Sequence, residues 1–447
     1  MSEDDKIEFI SNSNFESQND KFSDVNVLNT LGSIDAMRAI QKSNGEKGCH
    51  RYIISHNESA LNIFEVFYMF KISGWVNPLV DIVPLFETIE DLNISVSVME
   101  KVYRNKLYKN HLKSRGSEQI IMLGFSDGTK DGGYFTANWE ILKAKENLTK
   151  LSLKYGIKVK FFDGRGGPPA RGGGNTHQFY SSLSGVLDSK QIQLTIQGQT
   201  ISSNFGTIDS CQYNLEQLLS SGIHNRVVND SKNNSIREDK AILDKLANIS
   251  YQAYSDFKSH PKFVPYLEHV STIKYYAKTN IGSRPSKRGD NDSKFDFSSL
   301  RAIPFVGSWS QLKQNVPGFY GVGTALKYYS DKKEFSKIKK LYKNSPFFRT
   351  LISNSMMSLT KSFFKLTSYM KNDPEYGDFW LLIYNEYKLS KKLILRLSGF
   401  DTLMENEPAN KASIETREKI VLPLITIQQY ALRKIKDIEK GELEKGK

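Results

Sequence analysis

The sequence of 447 residues has only two cysteines, Cys49 and Cys211, and no Cys-x-x-Cys or Cys/His spacing. This scarcity excludes a disulfide framework and a zinc site of the usual spacing, and it indicates a reducing, cytoplasmic compartment. No long uncharged apolar run is present, so no membrane-spanning helix is expected. The N-terminal stretch is acidic and polar, unlike a signal peptide.

The composition is that of a folded, basic protein. Apolar residues make up 39% of the chain, enough for a sizeable core, and the net charge is +13. A positive surplus favours anionic partners, but it does not distinguish nucleic acid, membrane and small phosphates. The lysines are spread along the chain, so a solvated surface explains the surplus equally well.

Four apolar runs alternate with helical patterns in the first half of the chain. They are Leu79–Glu87, Glu118–Asp127, Lys158–Asp163 and Gln193–Gly198. Helical periodicity marks Asn57–Gly74 and Thr136–Gly156, each closed by a glycine. Strands and helices that alternate at this spacing predict βαβ units and a parallel sheet, hence an α/β fold.

The sequence pattern divides the chain into four regions. We predict a flexible polar arm over residues 1–24, the parallel α/β region over 25–213, a mainly helical region over 214–433 and a charged, fraying tail over 434–447. The helical region is interrupted by one polar loop at 281–301. There is no internal repeat.

The segment FFDGRGGPPARGGGNTH, Phe161–His177, follows a predicted strand directly. It occurs once and inside a folded pattern, whereas RGG-type nucleic-acid binders repeat such boxes in low-complexity tails. Two interpretations remain open: a surface loop that needs glycine for its turns, or a loop whose amides and arginines, Arg165 and Arg171, hold an anion. A Walker A loop is excluded, because no Gly-Lys-Ser/Thr follows.

Charged side chains follow the predicted strands. Glu87 and Asp127 each end an apolar run, and carboxylates at the carboxyl ends of parallel strands suit Mg²⁺ or Mn²⁺. The alternative interpretation is that each carboxylate caps the following helix or forms an ion pair with a lysine. Lys130 lies in the same short segment as Asp127. Its positive charge has two open interpretations: a surface ion pair, or neutralisation of an anionic reactant. Two further basic segments carry Arg284, Arg288 and Arg301.

Taken together and in this order, these segments resemble phosphoenolpyruvate carboxylase. The matching pieces are VPLFET, MLGFSDGTKDGG, FFDGRGGPPARGGGNTH, TIQGQ, NIGSRPSKR, SLRAIPF and TREKIVLPLITIQQYAL, from about Leu79 to Leu432. The resemblance implies a lyase that forms oxaloacetate and phosphate from phosphoenolpyruvate and bicarbonate, through carboxyphosphate and a metal-stabilised enolate. It implies Mg²⁺ or Mn²⁺ as cofactor, a partial (α/β)8-type barrel with many added helices, a tetramer and allosteric control.

The resemblance also implies roles for single residues. Glu87 and Asp127 match the metal ligands. Arg165 and Arg301, with Gly166 and Gly167, match groups that hold the substrate phosphate. Lys130 matches a lysine of the bicarbonate site, and Arg284 lies in a motif near the same pocket. Arg171 matches an arginine used in catalysis and in aspartate inhibition, and Lys361 and Arg417 resemble members of the aspartate site.

Three departures from the family pattern bear on activity. The motifs TAHPTE, with a catalytic histidine, and KLDIRQES, with a substrate-binding arginine, do not occur. Asp163 stands where the family commonly has histidine, and the usual Asn-Thr-Gly ending is missing. We therefore expect a chain that needs a separate amino-terminal half and is inactive or poorly folded alone. The alternatives are a non-catalytic regulatory or assembly subunit and, last, an RGG-type nucleic-acid binder.

Overall fold

The computed structural model describes residues 1–13, 22–183, 191–196, 198–228, 236–276, 297 and 300–445. The chain divides into two compact units, each built from separate stretches of sequence. Unit 1 comprises Met1–Gly124, Glu140–Gly164 and Val186–Thr195, and unit 2 comprises Phe125–Trp139, Arg165–Gly185 and Ile196–Lys447. This division runs through the glycine-rich segment, between Gly164 and Arg165. The domain boundaries suggested by the sequence stay predictions.

Unit 1 contains a small parallel sheet with helices. In chain order its elements are α1 (Glu3–Asn12), α2 (Val25–Asn44), β1 (Arg51–Ile54), α3 (Ala60–Ile72), β2 (Asp81–Phe86), α4 (Ile89–Arg104), α5 (Lys106–Ser114), β3 (Glu118–Gly124), β4 (Lys158–Gly164) and β5 (Gln193–Leu194). The strands lie in the order β1-β2-β3-β4-β5, and every neighbouring pair is parallel. The predicted parallel α/β sheet is confirmed. Within the described residues β1 and β5 form its two edges, so the predicted barrel stays a prediction.

The apolar runs of the sequence correspond to the central strands. Ile82–Phe86 of β2 is buried throughout, and Ile121 of β3 pairs in register with Phe161 of β4. Strands of a parallel sheet are covered on both faces, so they read as continuous apolar runs. A capping box in which Thr88 and Asp91 exchange hydrogen bonds starts α4 directly after β2. The connection between β2 and α4 is therefore only two residues long and includes Glu87.

The predicted strand Glu118–Asp127 is wrong at its end. β3 stops at Gly124, and Phe125–Gly132 forms the helix α6. Asp127 lies in the first turn of that helix, where a negative side chain is favoured by the helix dipole. The predicted strand Gln193–Gly198 is likewise reduced to the two residues of β5.

Both chain ends are more helical than the sequence suggested. Within the predicted flexible arm, α1 has a capping box between Ser2 and Asp5, and it buries Ile7 and Ile10. The side chain of Lys71 donates to the carbonyl oxygen of Ile10 at 2.6 Å. These apolar contacts and the satisfied carbonyl stabilise a segment whose composition alone indicated disorder.

The described elements of unit 2 are mainly helices joined by loops. Its elements are α6, α7 (Tyr134–Lys154, which continues into unit 1), α8 (Thr176–Ser181), α9 (Gly198–Phe205), α10 (Ile208–Val228), α11 (Ile236–Lys258), α12 (Phe263–Val270), α13 (Ile273–Tyr276), α14 (Ala302–Gln311), α15 (Val322–Asp331), α16 (Phe335–Asn344), α17 (Pro346–Thr360), α18 (Gly377–Ser398) and α19 (Pro408–Lys445). The prediction that the fold is mainly helical overall is confirmed. The tail predicted to fray from Lys434 is part of α19 as far as Lys445.

The core of unit 2 is built from aromatic rings. Phe257 stacks on Tyr320 with centroids 4.2 Å apart and on Phe379 with centroids 5.3 Å apart. Trp309 is fully buried beside the same rings. Stacked and edge-on pairs of this kind add to the free energy gained by burying large apolar surfaces.

None of the helices in the described ranges has the length and apolar character needed to cross a bilayer.

Candidate functional site

The glycine loop, Arg165–Asn175, folds as a series of tight turns in unit 2. The amide of Gly166 donates to the carbonyl oxygen of Arg171 at 3.2 Å, and the amide of Gly174 donates to that of Gly167 at 2.9 Å. A 3-10 turn, Pro169–Arg171, lies between these bonds. The loop is therefore ordered by its own hydrogen bonds, which excludes the interpretation as a disordered RGG-type segment.

Glycine is required at two positions of the glycine loop. Gly172 has a φ of 74°, and a Cβ atom there would lie 2.5 Å from the carbonyl oxygen of Phe125. Gly174 has a φ of 108°, and its Cα packs against the side-chain amide of Asn354. Both backbone conformations are ones that residues with a Cβ rarely adopt. Close packing against the rest of unit 2 therefore explains part of the glycine content.

Two side chains outside the glycine loop fix its ends. Ser126 Oγ donates to the carbonyl oxygen of Arg171 at 3.0 Å. The buried Asn354 accepts from the amide of Asn175 at 3.1 Å through Oδ1, and its Nδ2 donates to the hydroxyl of Tyr134 at 2.7 Å. Helices α6, α7 and α17 thus hold one loop conformation.

Arg165 lies at the start of the glycine loop with its side chain 2% exposed. Its guanidinium carbon is 4.1 Å from the ring centroid of Phe179 and 5.6 Å from that of Phe125. All three guanidinium nitrogens are shielded from solvent and have no hydrogen-bond acceptor among the described residues. A buried guanidinium whose donors are unsatisfied carries a large desolvation cost, and an anion offsets that cost best.

Arg171 contributes a second buried guanidinium from the same loop. Burial lowers its pKa, and the negative charge of Asp127 opposes that effect. In the structure Arg171 is only 6% exposed. The loop therefore concentrates two positive charges in an interior with few compensating groups, which favours anions.

The two candidate metal ligands lie in different units. Glu87 follows β2 in unit 1, is buried, and accepts from the amide of His56 at 2.9 Å. Asp127 lies half-buried on α6 in unit 2. No group of three or more His, Cys, Asp or Glu side chains in the described ranges is arranged to hold a metal. Carboxylate oxygens remain the donors that Mg²⁺ prefers, and Mg²⁺ often takes only one or two of them.

Lys130 holds the chain that leads to Arg301. Its Nζ donates to the carbonyl oxygens of Phe297, at 3.0 Å, and Leu300, and it lies 4.6 Å from the centroid of the Phe297 ring. Arg301 follows directly and is the N-cap residue of α14. Arg284 and Arg288 lie outside the described residues.

Asp163 forms a buried ion pair in unit 1. Its Oδ2 accepts from Lys145 Nζ at 2.7 Å, and the two side chains are 2% and 4% exposed. Lys145 comes from α7 and also lies 5.5 Å from the centroid of the Phe161 ring. The charge of Asp163 is thus compensated inside unit 1 by a lysine 18 residues earlier.

A second cationic cluster lies at the end of α17. Burial, together with the positive charges of Arg417 and Lys313, lowers the pKa of Lys361 to about 8, and the negative charge of Glu418 opposes this shift. Lys313 Nζ donates to Glu418 Oε1 at 2.5 Å. The structure therefore brings Lys361 and Arg417 within electrostatic range of each other.

Sequence reasoning missed three residues that shape these sites: Lys145, Phe179 and Asn354. Lys145 lies on an amphipathic helix, where a lysine is ordinarily solvated. Phe179 and Asn354 act through contacts across the chain, and no local pattern marks such contacts. The signal for Lys145 was Asp163 itself, since a buried carboxylate requires a cation as its partner.

The comparison with known protein families gives a match over nearly the whole chain. The family model of phosphoenolpyruvate carboxylase matches residues 2–446. The match extends the resemblance to the segments before Leu79 and after Leu432.

Proposed function

Because the chain belongs to the phosphoenolpyruvate carboxylase family, we propose that it carboxylates phosphoenolpyruvate with bicarbonate and releases oxaloacetate and inorganic phosphate. The observation that carries this proposal is the buried, acceptor-free guanidinium of Arg165 in the glycine loop. A phosphate group supplies the several acceptor oxygens that such a planar fork binds best.

The residues suit the charge changes of the reaction. A bicarbonate oxygen bonds to phosphorus as the bond from phosphorus to the enol oxygen breaks, which gives carboxyphosphate and an enolate. Carboxyphosphate then splits into carbon dioxide and phosphate, and the enolate carbon bonds to carbon dioxide. Arg165 and Arg171 balance the phosphate charge in surroundings of low dielectric, where the attraction is strong. Arg301 and Arg284 are proposed to assist them.

Three of the assigned residues already form hydrogen bonds within the protein. The amide of Gly166 bonds within the loop, so its role is to shape the loop rather than to donate to substrate; Gly167 accepts from Gly174. Lys130 binds two carbonyl oxygens. We propose that it both holds the chain before Arg301 and presents a positive charge to bicarbonate.

The shielding of the Arg165 nitrogens sets a condition on substrate binding. An anion reaches these atoms only after a local displacement of the residues that cover the guanidinium, while the guanidinium itself stays on the ring of Phe179. Such a displacement, reversed after binding, would exclude water from carboxyphosphate and the enolate.

Glu87 and Asp127 are the residues proposed to hold Mg²⁺ or Mn²⁺. When bound, the ion polarises substrate oxygens and stabilises negative charge on the enolate. The carboxylates themselves provide hard oxygen donors at the end of β2 and in the first turn of α6.

Asp127→Asn is expected to raise the Mg²⁺ concentration for half-maximal turnover at least about tenfold, since even outer-shell changes cost that much. Glu87→Gln should act in the same way, and Mn²⁺ binding followed by electron paramagnetic resonance should weaken in parallel. Glu58→Gln is the matched control, because Glu58 is exposed and pairs only with His56 at 3.1 Å in the described residues. Unchanged metal dependence in both variants would remove these carboxylates from the metal site.

Lys361 and Arg417, with Arg171, are proposed to bind the inhibitor aspartate. Because the ammonium of Lys361 loses its proton as pH rises through its pKa of about 8, its attraction for a carboxylate weakens above that pH. We expect the inhibition constant for aspartate to rise several-fold between neutral pH and pH ~9. Lys361→Arg stays charged over this range and should flatten the profile. An identical pH profile in the two proteins would exclude Lys361 from the site.

A non-catalytic subunit is the second candidate, favoured by Asp163 at a position where the family commonly has histidine. Oxaloacetate formation from phosphoenolpyruvate, bicarbonate and Mg²⁺ should be measured for the chain alone and after co-expression with a polypeptide that carries the TAHPTE and KLDIRQES motifs. Turnover in either preparation supports the carboxylase. Its absence from both, with phosphate binding retained, supports the non-catalytic subunit.

A further inference from the structure

The guanidinium of Arg165 rests on the face of an aromatic cluster. The Phe179 centroid is nearest, at 4.1 Å, and the Tyr180 centroid is 6.0 Å away. Both distances allow attraction between a cation and the negative face of a ring, and this attraction is strongest where water is excluded. The closest support of the Arg165 charge is therefore the ring of Phe179.

Phe179 is itself fixed in position. Its side chain is 1% exposed. The rings of Phe125 and Tyr180 meet it nearly edge-on at 5.7 and 5.3 Å, and Phe347 of α17 lies 6.4 Å away. A ring held on several sides cannot turn without moving its neighbours, so it offers a rigid surface to the guanidinium.

Hydrogen bonds do not fix Arg165 in the described part of the chain, since Nε and both Nη atoms have no acceptor there. An arginine side chain that lacks such bonds loses its orientation easily, because it has many rotamers. The stack on Phe179 is the closest of the ring contacts that restrict it. This differs from the usual buried arginine, which a carboxylate orients.

We infer that Phe179 is a positioning residue, which holds the guanidinium of Arg165 in place for the phosphate group of the substrate. The inference rests on the proposed function, in which Arg165 binds that phosphate. Preorganised charges bind an anion more tightly than mobile ones, because no ordering cost remains at the moment of binding. The ring acts through Arg165 and does not itself bond to substrate.

The decisive variants weaken the negative face of the ring with little change in its shape. Mono-, di- and trifluorinated phenylalanine placed at position 179 of the full chain should weaken inorganic phosphate binding stepwise, by about tenfold in total. Titration calorimetry with inorganic phosphate measures this directly. In the carboxylase assay KM for phosphoenolpyruvate should rise by a similar factor, while kcat changes little. A purely structural role would not follow the degree of fluorination.

Substitutions of Phe179 by other natural amino acids give a second series of variants. Phe179→Met removes the ring and should weaken phosphate binding as much as trifluorination, whereas Phe179→Tyr keeps the ring face and should restore the affinity. Phe335 is the matched control, because its ring lies 4.3 Å below the guanidinium carbon of Arg396, which lies on the exposed side of α18. Fluorination at position 335 should leave phosphate affinity and KM unchanged.

The outcomes separate the inference from the carboxylase function. Stepwise weaker phosphate binding, with no turnover by the chain alone or after co-expression with the polypeptide that carries the TAHPTE and KLDIRQES motifs, supports the inference and contradicts the function. Normal turnover with phosphate affinity and KM unchanged, or tightened, by fluorination contradicts the inference and leaves the function standing. A chain that does not bind phosphate at all overturns the inference.

Discussion

Arg165→Lys is expected to lower kcat/KM for phosphoenolpyruvate by about 10²- to 10³-fold, the usual effect of removing one preorganised donor from a developing anion. Lysine keeps the positive charge but loses the planar fork that binds two phosphate oxygens at once. It also loses the flat face that stacks on Phe179 at 4.1 Å. The loss should appear in phosphate binding as well as in turnover, because both depend on the same geometry.

The control for this variant is Arg396→Lys. Arg396 also stacks on a phenylalanine, at 4.3 Å from the Phe335 centroid, but it lies at the surface and donates to Ser330 Oγ at 2.8 Å. The control should keep phosphate affinity and kcat/KM. An Arg165→Lys protein that is folded, as judged by circular dichroism, and retains full kcat/KM would contradict the phosphate role of Arg165.

Much of unit 1 was predictable because its elements are determined locally. The run DIVPLF is short, apolar and bounded by charge, so β2 could be recognised, and the same holds for β4. The helix pattern of Asn57–Gly74 corresponds to α3, whose N-cap is Ser59. Where strand order follows chain order, the parallel sheet follows from the alternation of strands and helices.

The errors have physical reasons of another kind. Asp127 was assigned to a strand end because an apolar run precedes it, yet the dipole of α6 favours a carboxylate in the first helical turn. Disorder of the N-terminal arm was inferred from its polar composition. Composition does not show that Ile7 and Ile10 are buried in the folded chain. Within unit 1, the partner of Asp163 is set by tertiary packing, so no local pattern identified Lys145.

Lys145→Met should destabilise unit 1 by about 3–5 kcal/mol, the cost of leaving one partner of a buried ion pair without its counter-charge. Both side chains are nearly fully buried, 2.7 Å apart, so solvent does not screen the loss. Since Asp163 lies on β4, the opening of β3 and β4 should become easier. Hydrogen–deuterium exchange of peptides from these strands, with the urea midpoint, measures the change.

A neighbouring pair provides the control. Lys160 Nζ and Glu118 Oε2 join β4 to β3 at 2.6 Å, but their side chains are 25% and 36% exposed. Lys160→Met should cost less than about 1 kcal/mol, as is usual for a screened surface pair. Equal destabilisation by Lys145→Met and Lys160→Met would contradict the argument from burial.

The double variant Lys145→Met with Asp163→Leu tests whether the cost comes from an uncompensated charge. Replacing both partners by apolar side chains removes the charge as well as the bond, so most of the stability should return. Asp163→His, which installs the residue common in the family, should be destabilised while Lys145 is present, because two potential cations then share one buried site. Adding Lys145→Met to Asp163→His should relieve this repulsion. Recovery in both double variants would establish that Lys145 compensates the buried charge of Asp163.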